Sequence, residues 1–443
     1  MSDLRSAVEA ALPTVRAELE RLVTIPSVSA PGFDPAEVRR SADATADTFD
    51  AAGLAGVRFL DVQDGRPAVF GEHPAPDGAP TVLLYAHHDV QPPGADADWD
   101  TPPFVPTERD GRLFGRGTAD DKAGIAVHAA ALRAHGATPP VGVKVFVEGE
   151  EEIGSPTMPA FLDRYGELLR ADVIVLADMA NWRIGQPALT TSLRGLVDCV
   201  VEVRTLDHAV HSGMYGGPFP DALTAMGRLI ASLHDDEGNV AIPGLSSASA
   251  DELDLTEKEL REHAGAVSGL ELTGRGSLTA RMWTMPSVSV LAVDAPPVGE
   301  ASNTLVPVAR AKVSLRIPPG DDPGPAMDAL VTHLKSNVPW GAEVRVTRGA
   351  SAHPFAAPTD APAYAVAGDA FQEAWGVAPV HIGAGGTIPF VAAFAEAYPD
   401  AAILMTGVED PDTRAHGANE SLHLGDFAKA CLAEALLLDR LSG

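Results

Sequence analysis

Histidine and acidic residues fall at the ends of predicted strands in widely separated parts of the chain. The segment 86-AHHDVQP-92 is one example, because it follows the apolar run 81-TVLLYA-86 directly. In an open parallel sheet, the loops after the carboxyl ends of the strands share one edge, where ligands bind. Residues more than 300 positions apart can therefore meet there. The residues in question are His87, Asp89, Asp120, Asp121, Glu148, Glu150, Glu151, Glu152, Asp178 and His416.

This set of side chains has the chemistry of a metal site. It combines imidazoles with carboxylates and contains no thiol, which suits Zn²⁺, Mn²⁺ or Co²⁺. So many acidic groups at one sheet edge would repel one another without a cation. A single carboxylate can also bridge two metal ions ~3.5–4 Å apart, which is the arrangement used for hydrolysis. The residue types therefore indicate a metal site suited to hydrolysis.

Each cluster taken alone also has a simpler explanation. The acidic run 150–152 is typical of a solvated helix start, where carboxylates interact favourably with the helix dipole. Asp120 and Asp121 can cap a helix, and His416 can be an ordinary loop histidine. We favour the metal site because the separate explanations do not account for every cluster falling at the same kind of position.

Strands and helices alternate in the parts of the chain that carry these residues. The predicted strands are rich in Val, Ile and Leu without polar alternation, which is typical of a parallel sheet covered on both faces. The predicted fold class is therefore α/β, with a mostly parallel sheet covered by helices. The strands are predicted over 81–86, 141–147, 172–177 and 402–407, and the helices over 1–22, 121–136, 157–169, 361–375 and 424–441.

The pattern changes in the middle of the chain, where the sequence predicts an inserted domain. Two strand–helix–strand passes there indicate a small α+β sheet of ferredoxin-like type, with a polar Gly/Ser-rich stretch of loops and short helices after residue 235. The predicted domains are a catalytic domain over 1–187 and 351–443 and an inserted lid or dimerisation domain over 188–350. The strands within it are predicted over 193–204, 309–317 and 341–349, and the helices over 221–235 and 325–336.

The amino-acid composition argues against two classes of binding partner. The formal net charge is −29, from 32 Lys and Arg against 61 Asp and Glu. This argues against nucleic acid or an anionic membrane surface, because both attract positive patches. No apolar run is long enough for a membrane span, and the charged N-terminal segment lacks the apolar core of a signal peptide. We therefore expect a cytoplasmic protein, with Cys199 and Cys431 as core thiols.

The motifs that carry the chemistry resemble those of the M20 metallopeptidases. Their order and spacing match this family along nearly the whole chain, and HDVQP and HSGMYGG look most like the carnosinase-type dipeptidase branch. The motifs are AHHDVQP at 86–92, GRGTADDKAG at 115–124, VEGEEEIGS at 147–155, LAD at 176–178, HSGMYGG at 211–217 and AHGANE at 415–420.

The resemblance implies two divalent metal ions, with zinc as the first choice and manganese or cobalt as alternatives. His87 matches the family's ligand position and His88 a variable one. Asp89 matches the carboxylate that orients this ligand, and Asp120 the bridging ligand, which is often followed by a cis peptide. One ion is then held by His87, Asp120 and Asp178, and the other by Asp120, Glu152 and His416.

The resemblance also implies the residues that act on the substrate. The family's paired acids align with Glu151 as general base and Glu152 as ligand. His211 would polarise the scissile carbonyl oxygen, often across the interface of a homodimer formed through the inserted domain. The substrate's carboxylate end would be bound by Arg316, Thr304, Thr387 and Gly386, and an arginine suits a carboxylate because it binds in a bidentate way.

These implications lead to a predicted function and two alternatives. The first prediction is a di-metal hydrolase that cleaves the amide bond of dipeptides or short peptides with a free carboxylate end. The second is an N-acyl-amino-acid deacylase, of deacetylase or desuccinylase type, that uses the same site. The third is a metal-binding scaffold without activity, which the intact ligand set and Glu151 argue against.

Overall fold

The chain forms two compact units in a computed structural model that describes residues 2–136, 138–386 and 388–443. The first unit comprises Met1–Thr191, Ala357–Ile382 and Ile388–Gly443. The second comprises Ser192–Ala356 and Gly383–Thr387. The role of the second unit as a lid or dimerisation domain stays a prediction.

The helices include every one that the sequence predicts. Among the described residues no helix is both long and apolar enough to cross a bilayer. The α-helices are α1 (Ser2–Val23), α2 (Pro35–Ala51), α3 (Lys122–Ala134), α4 (Met158–Leu169), α5 (Ser212–Tyr215), α6 (Ala222–Ala231), α7 (Glu257–His263), α8 (Leu278–Trp283), α9 (Pro323–Asn337), α10 (Pro362–Trp375), α11 (Pro389–Ala397) and α12 (Leu424–Arg440).

The strands are more numerous than the sequence predicts, and the additional ones are mostly short. They are β1 (Arg58–Leu60), β2 (Ala68–His73), β3 (Thr81–His87), β4 (Thr107–Arg109), β5 (Arg112–Phe114), β6 (Gly142–Glu148), β7 (Val173–Leu176), β8 (Ala188–Leu193), β9 (Gly195–Arg204), β10 (Val210–His211), β11 (Ser287–Asp294), β12 (Thr304–Leu305), β13 (Val308–Ile317), β14 (Glu343–Ala352), β15 (Phe355–Ala356), β16 (Val380–Ala384), β17 (Ala402–Met405) and β18 (Ser421–His423).

The main sheet of the first unit has a parallel centre and antiparallel edges. Its strands lie in the order β1-β2-β6-β3-β7-β17-β8. The pairs β6–β3, β3–β7 and β7–β17 are parallel, whereas β1–β2, β2–β6 and β17–β8 are antiparallel. The predicted α/β class is confirmed, and the strands added at both edges make the sheet mixed.

Both faces of this sheet are buried, which explains why β3 has apolar residues without alternation. Val82 and Leu84 belong to a core shared with α1, α3, α10 and α12. Tyr85 points to the opposite face, where its ring stacks on that of Phe390 from α11 with centroids 3.5 Å apart. The aromatic cluster continues through Phe146 of β6 to the helices α4 and α11.

The second unit contains a four-stranded antiparallel sheet in the order β11-β13-β9-β14. Alternate residues of β9, including Cys199 and Val201, pack against α6 and α9 in one core. The chain order β9-α6-β11-β13-α9-β14 confirms the ferredoxin-like arrangement. Strand β11 is not among the predicted strands, because this edge strand leaves Leu291 and Val293 exposed and so lacks a clear apolar pattern.

Candidate metal centre

The predicted metal ligands of the first unit lie where its parallel strands end. His87 is the last residue of β3 and pairs with Glu148, the last residue of β6. Asp178 follows the end of β7 by two residues. Asp120 comes before α3, joined by a cis peptide bond to Asp121, which caps that helix by accepting a hydrogen bond from the Gly124 amide. The common edge of parallel strands thus brings the clusters together.

Asp120 lies between two histidines. Its Oδ1 is 3.1 Å from His87 Nε2, and its Oδ2 is 3.0 Å from His416 Nε2. The same nitrogen of His416 is 3.3 Å from Glu152 Oε2, and His87 Nε2 is 3.8 Å from Asp178 Oδ1. A carboxylate with one oxygen toward each imidazole has the geometry of a bridging ligand.

Two groups of donor atoms are compact enough to hold an ion. The donors of His87, Glu151 and Asp178 all lie within 4.8 Å of one another, as do those of His87, Asp120 and Glu152. His416 joins the second group through its contacts with Asp120 and Glu152. The division of these ligands between two ions stays a prediction.

Asp89 connects His87 to the turn that carries the paired glutamates. His87 Nδ1 lies 3.1 Å from the Asp89 carbonyl oxygen and 3.4 Å from its carboxylate. The two oxygens of that carboxylate accept hydrogen bonds from the amides of Glu151, at 3.3 Å, and Glu152, at 3.1 Å. One buried side chain therefore fixes the imidazole and the backbone of both glutamates, as expected of groups behind a metal ligand. The neighbouring His88 turns away and lies 3.0 Å from the Pro67 carbonyl oxygen.

The three consecutive glutamates have different surroundings. Glu150 accepts hydrogen bonds from the Arg66 amide and the Thr157 hydroxyl, so its carboxylate is already satisfied away from the histidines. The Glu152 carboxylate accepts hydrogen bonds from the backbone amide and the side-chain amide of Gln91. Glu151 is the one whose carboxylate lies within the group formed with His87 and Asp178.

The electrostatics of this cluster fit divalent cations. Burial raises the pKa of Glu151 well above its ordinary value, and the charges of Asp178, Glu152 and Glu148 raise it further. Burial also raises the pKa of Asp178 to about 6. Hydrogen bonds with Asp120 and Glu152 raise the pKa of His416 to about 11. The carboxylates outnumber the imidazoles among these ligands, and cations near them would relieve the repulsion.

Glu409 lies beside this cluster and is not among the site residues predicted from the sequence. The segment after Asp178 pairs with the segment after β17: the Asn181 amide donates to the Glu409 carbonyl oxygen at 2.8 Å. Burial raises the pKa of the Glu409 carboxyl well above its usual range, and the charges of Asp120 and Asp178 raise it further. The available signal was an acidic residue close to a strand end, because Glu409 is the second residue after the strand predicted over 402–407.

This pairing depends on a glycine at position 407. A Cβ atom there would overlap the backbone of Met179, next to Asp178. We expect Gly407→Ala to destabilise the protein by about 1–3 kcal/mol or more, because backbone cannot yield as a flexible side chain can. The measurement is urea unfolding. Gly368→Ala in α10 is the matched control, since nothing lies within 4 Å of its added Cβ, and we expect a gain of about 0.5–1 kcal/mol. Equal stability of the two variants would contradict this packing.

Apart from Glu151, the residues predicted to act on the substrate that the structure describes, His211, Thr304, Arg316 and Gly386, lie in the second unit. His211 and Thr304 are cross-strand neighbours on β10 and β12, and the exposed His211 accepts a hydrogen bond through Nδ1 from the Gly213 amide. Gly386 is exposed. Thr387 lies outside the described residues. The structure therefore places His211 beside Thr304, while the roles of these residues stay predictions.

Arg316 has a neighbour, Arg194, that is not among the site residues predicted from the sequence. Arg194 donates a hydrogen bond to the Ser287 hydroxyl at 2.9 Å, and Ser287 is the cross-strand partner of Arg316. Burial, together with the charge of Arg316, lowers the pKa of Arg194 to about 10. Two partly buried guanidinium groups close together favour an anion between them.

The family of the protein follows from comparison with known sequences. The family described as peptidase family M20/M25/M40 matches residues 83–440. The chain belongs to this family. It is therefore a metallopeptidase, and a divalent metal is part of its chemistry.

Similar proteins include several dipeptidases. The chain is 35% identical over 398 residues to the cysteinylglycine-S-conjugate dipeptidase of Corynebacterium striatum, covering 88% of this chain and 87% of that protein. It is 28% identical to the human Beta-Ala-His dipeptidase, covering 82% and 75%. The solved structure of the dipeptidase Dug1p from Saccharomyces cerevisiae has a TM-score of 0.83 at 21% identity, covering 100% and 98%. This last likeness concerns the fold.

Proposed function

We propose that the protein hydrolyses the amide bond of dipeptides or short peptides that have a free carboxylate end. The observation that carries the proposal is Asp120, whose two oxygens face His87 and His416 separately. This geometry suits two ions that share one ligand. The names of the dipeptidase relatives support a small peptide as substrate.

The donor set fits two divalent ions, with zinc as the first choice and manganese or cobalt as alternatives. His87, Asp120 and Asp178 would hold one ion, and Asp120, Glu152 and His416 would hold the other. When bound, such ions lower the pKa of a water molecule and polarise a carbonyl oxygen. Asp89 fixes the His87 ring so that Nε2 faces the site.

Glu151 acts as general base and then as general acid. Its carboxylate takes a proton from the attacking water and delivers it to the leaving amine. Asp89 holds the Glu151 amide and thereby fixes the turn from which the carboxylate projects. His211 donates a hydrogen bond to the carbonyl oxygen as negative charge develops there. We place His211 in the site of the partner subunit of a homodimer formed through the second unit.

The two ends of a dipeptide carry opposite charges, and the chain offers groups for both. Arg316 and Arg194 would bind the carboxylate, with Thr304, Gly386 and Thr387 as further donors. Glu409 would bind the free ammonium group, because a carboxylate among other carboxylates favours a cation. An N-acyl amino acid has no such ammonium group, so Glu409 favours a dipeptidase over a deacylase.

Glu409→Gln should lower kcat/KM for dipeptides by about 10- to 100-fold, the range expected for loss of a charge-assisted hydrogen bond. N-acetylated amino acids should be affected much less, and the ratio of the two kcat/KM values is the quantity to measure. Asp412→Asn is the matched control, since it removes an exposed carboxylate from the same loop. An equal loss on both substrate classes would remove the argument for an ammonium site.

A substrate panel tests the function as a whole. Dipeptides and N-acyl amino acids would be assayed with Zn²⁺, Mn²⁺ and Co²⁺ added separately to metal-free protein. We expect turnover of dipeptides to dominate with at least one of the metals. Dominant turnover of N-acyl amino acids would establish the deacylase instead. Tight metal binding without turnover of either class would favour the scaffold.

A further inference from the structure

A buried ion pair connects the two halves of the candidate metal centre. Arg116 Nη1 lies 2.7 Å from Glu420 Oε2, and the two residues are 1% and 0% exposed. The Arg116 guanidinium also lies over the ring of Trp99, 5.5 Å from its centroid. The charges belong to the motifs GRGTADDKAG and AHGANE, but neither side chain is among the predicted ligands. The cost of removing two charges from water can cancel their attraction, so a buried ion pair need not stabilise the fold. We therefore looked for another role for this pair.

Glu420 holds the backbone that carries Asp120. Its Oε1 accepts hydrogen bonds from the amides of Ala119, at 3.0 Å, and Asp120, at 3.2 Å. Its Oε2 accepts a third from the Gly117 amide at 3.0 Å, in addition to the contact with Arg116. The carboxylate therefore fixes the turn before α3 at the residue whose side chain lies between the two histidines.

Arg116 holds the backbone that carries His416. Its Nη2 donates to the carbonyl oxygens of His416, at 3.0 Å, and Gly417, at 3.1 Å. The His416 side chain is 60% exposed, so packing does little to hold it. Its backbone has a φ of 63°, in the left-handed region that non-glycine residues seldom adopt. The position of the imidazole thus depends on backbone contacts, and Arg116 supplies two of them.

We propose that Arg116 and Glu420 are positioning residues that set the distance between Asp120 and His416. Through this distance they determine the affinity of the metal position formed by Asp120, Glu152 and His416, which we call the second position. The position formed by His87, Asp120 and Asp178, the first position, has additional support from Asp89 and depends less on the pair. This proposal rests on the two-metal site proposed above.

Two variants break the pair in different ways. Glu420→Gln keeps the shape but places an amide group toward other donors, with Arg116 left without its counter-charge. Arg116→Lys keeps the charge, but a single ammonium group cannot reproduce the guanidinium fork that contacts Glu420 and two carbonyl oxygens. Arg112→Lys is the matched control, because Arg112 pairs with Asp410 in the same region, at 2.9 Å, and contacts Ser421 instead of a ligand.

The experiment is a cobalt titration of the full chain after removal of metal by chelation. Binding is followed by calorimetry and by the visible absorption of each bound Co²⁺. We expect the wild type and Arg112→Lys to bind two ions. In Arg116→Lys and Glu420→Gln, the second ion should bind about 10- to 100-fold more weakly, the usual effect of losing groups that orient a ligand. Their absorption should follow that of His416→Ala, which lacks the second position, while the first ion binds as in the wild type.

Thermal unfolding of the metal-free variants shows whether an effect is local. Should Glu420→Gln not fold, Arg116→Lys decides the matter, since its charge is retained. Normal affinity for both ions in Arg116→Lys would overturn the proposal, and so would an equal loss in Arg112→Lys or a loss confined to the first ion. In those cases the two-metal site itself would stand. A wild type that binds a single ion would overturn both.

Discussion

Glu151→Gln should lose hydrolysis by at least ~10²-fold while keeping its metal, since general-base catalysis is typically worth 10²–10⁴. The amide cannot accept the proton of the attacking water, but it has nearly the shape of the carboxylate. The Glu151 backbone, which Asp89 holds through its amide, is unchanged by the substitution. The measurements are kcat on a dipeptide and metal content per chain.

Glu150→Gln is the control that tests the register of the three glutamates. Glu150 accepts hydrogen bonds from Arg66 and Thr157, so its loss should affect stability before catalysis. Unchanged turnover in Glu151→Gln with normal metal content would show that the base is another residue, and Glu152 would be tested next.

Mixing His211→Ala with Glu151→Gln should restore activity from two inactive proteins. His211 belongs to the second unit, whereas all the predicted metal ligands belong to the first. In a two-fold dimer each second unit can serve the partner's site. Removal of one donor to the carbonyl oxygen costs about 10²–10³-fold, so each homodimer alone should be nearly inactive.

The two possible positions of His211 predict different numbers of intact sites in the mixed dimer. When His211 acts in the partner's site, one site of the mixed dimer has neither substitution and the other has both. Subunit exchange should then recover up to about half of the wild-type activity per mixed dimer. Exchange is shown directly by tagging one chain and capturing it. Exchange without recovery would mean that His211 acts within its own chain or has no role in catalysis.

The ends of the central strands made the site predictable from the sequence. The apolar runs before His87 and Asp178 have no polar alternation, so they could be recognised as strands buried on both faces. Once these strands are parallel, the residues that follow them must share one edge. This is why a pattern spread over the chain could indicate that these residues meet, whereas the place of Asp120 between His87 and His416 was implied by the resemblance to the M20 family.

Other features depend on contacts that the sequence does not reveal. The edge strand β11 exposes apolar residues such as Leu291, so its alternation is obscured. Arg194 becomes a neighbour of Arg316 only when β13 pairs with β9 and β11. Arg116 and Glu420 are 304 positions apart. In the sequence, each of them alone is indistinguishable from an ordinary surface charge.

A crystal structure of the metal-loaded protein would show whether Asp120 bridges two metal ions. Anomalous scattering recorded at the absorption edge of the added metal identifies the ions and their positions. We expect two ions ~3.5–4 Å apart, with one Asp120 oxygen on each and His87 and His416 on different ions. A single ion, or an Asp120 side chain turned away from the metals, would contradict it.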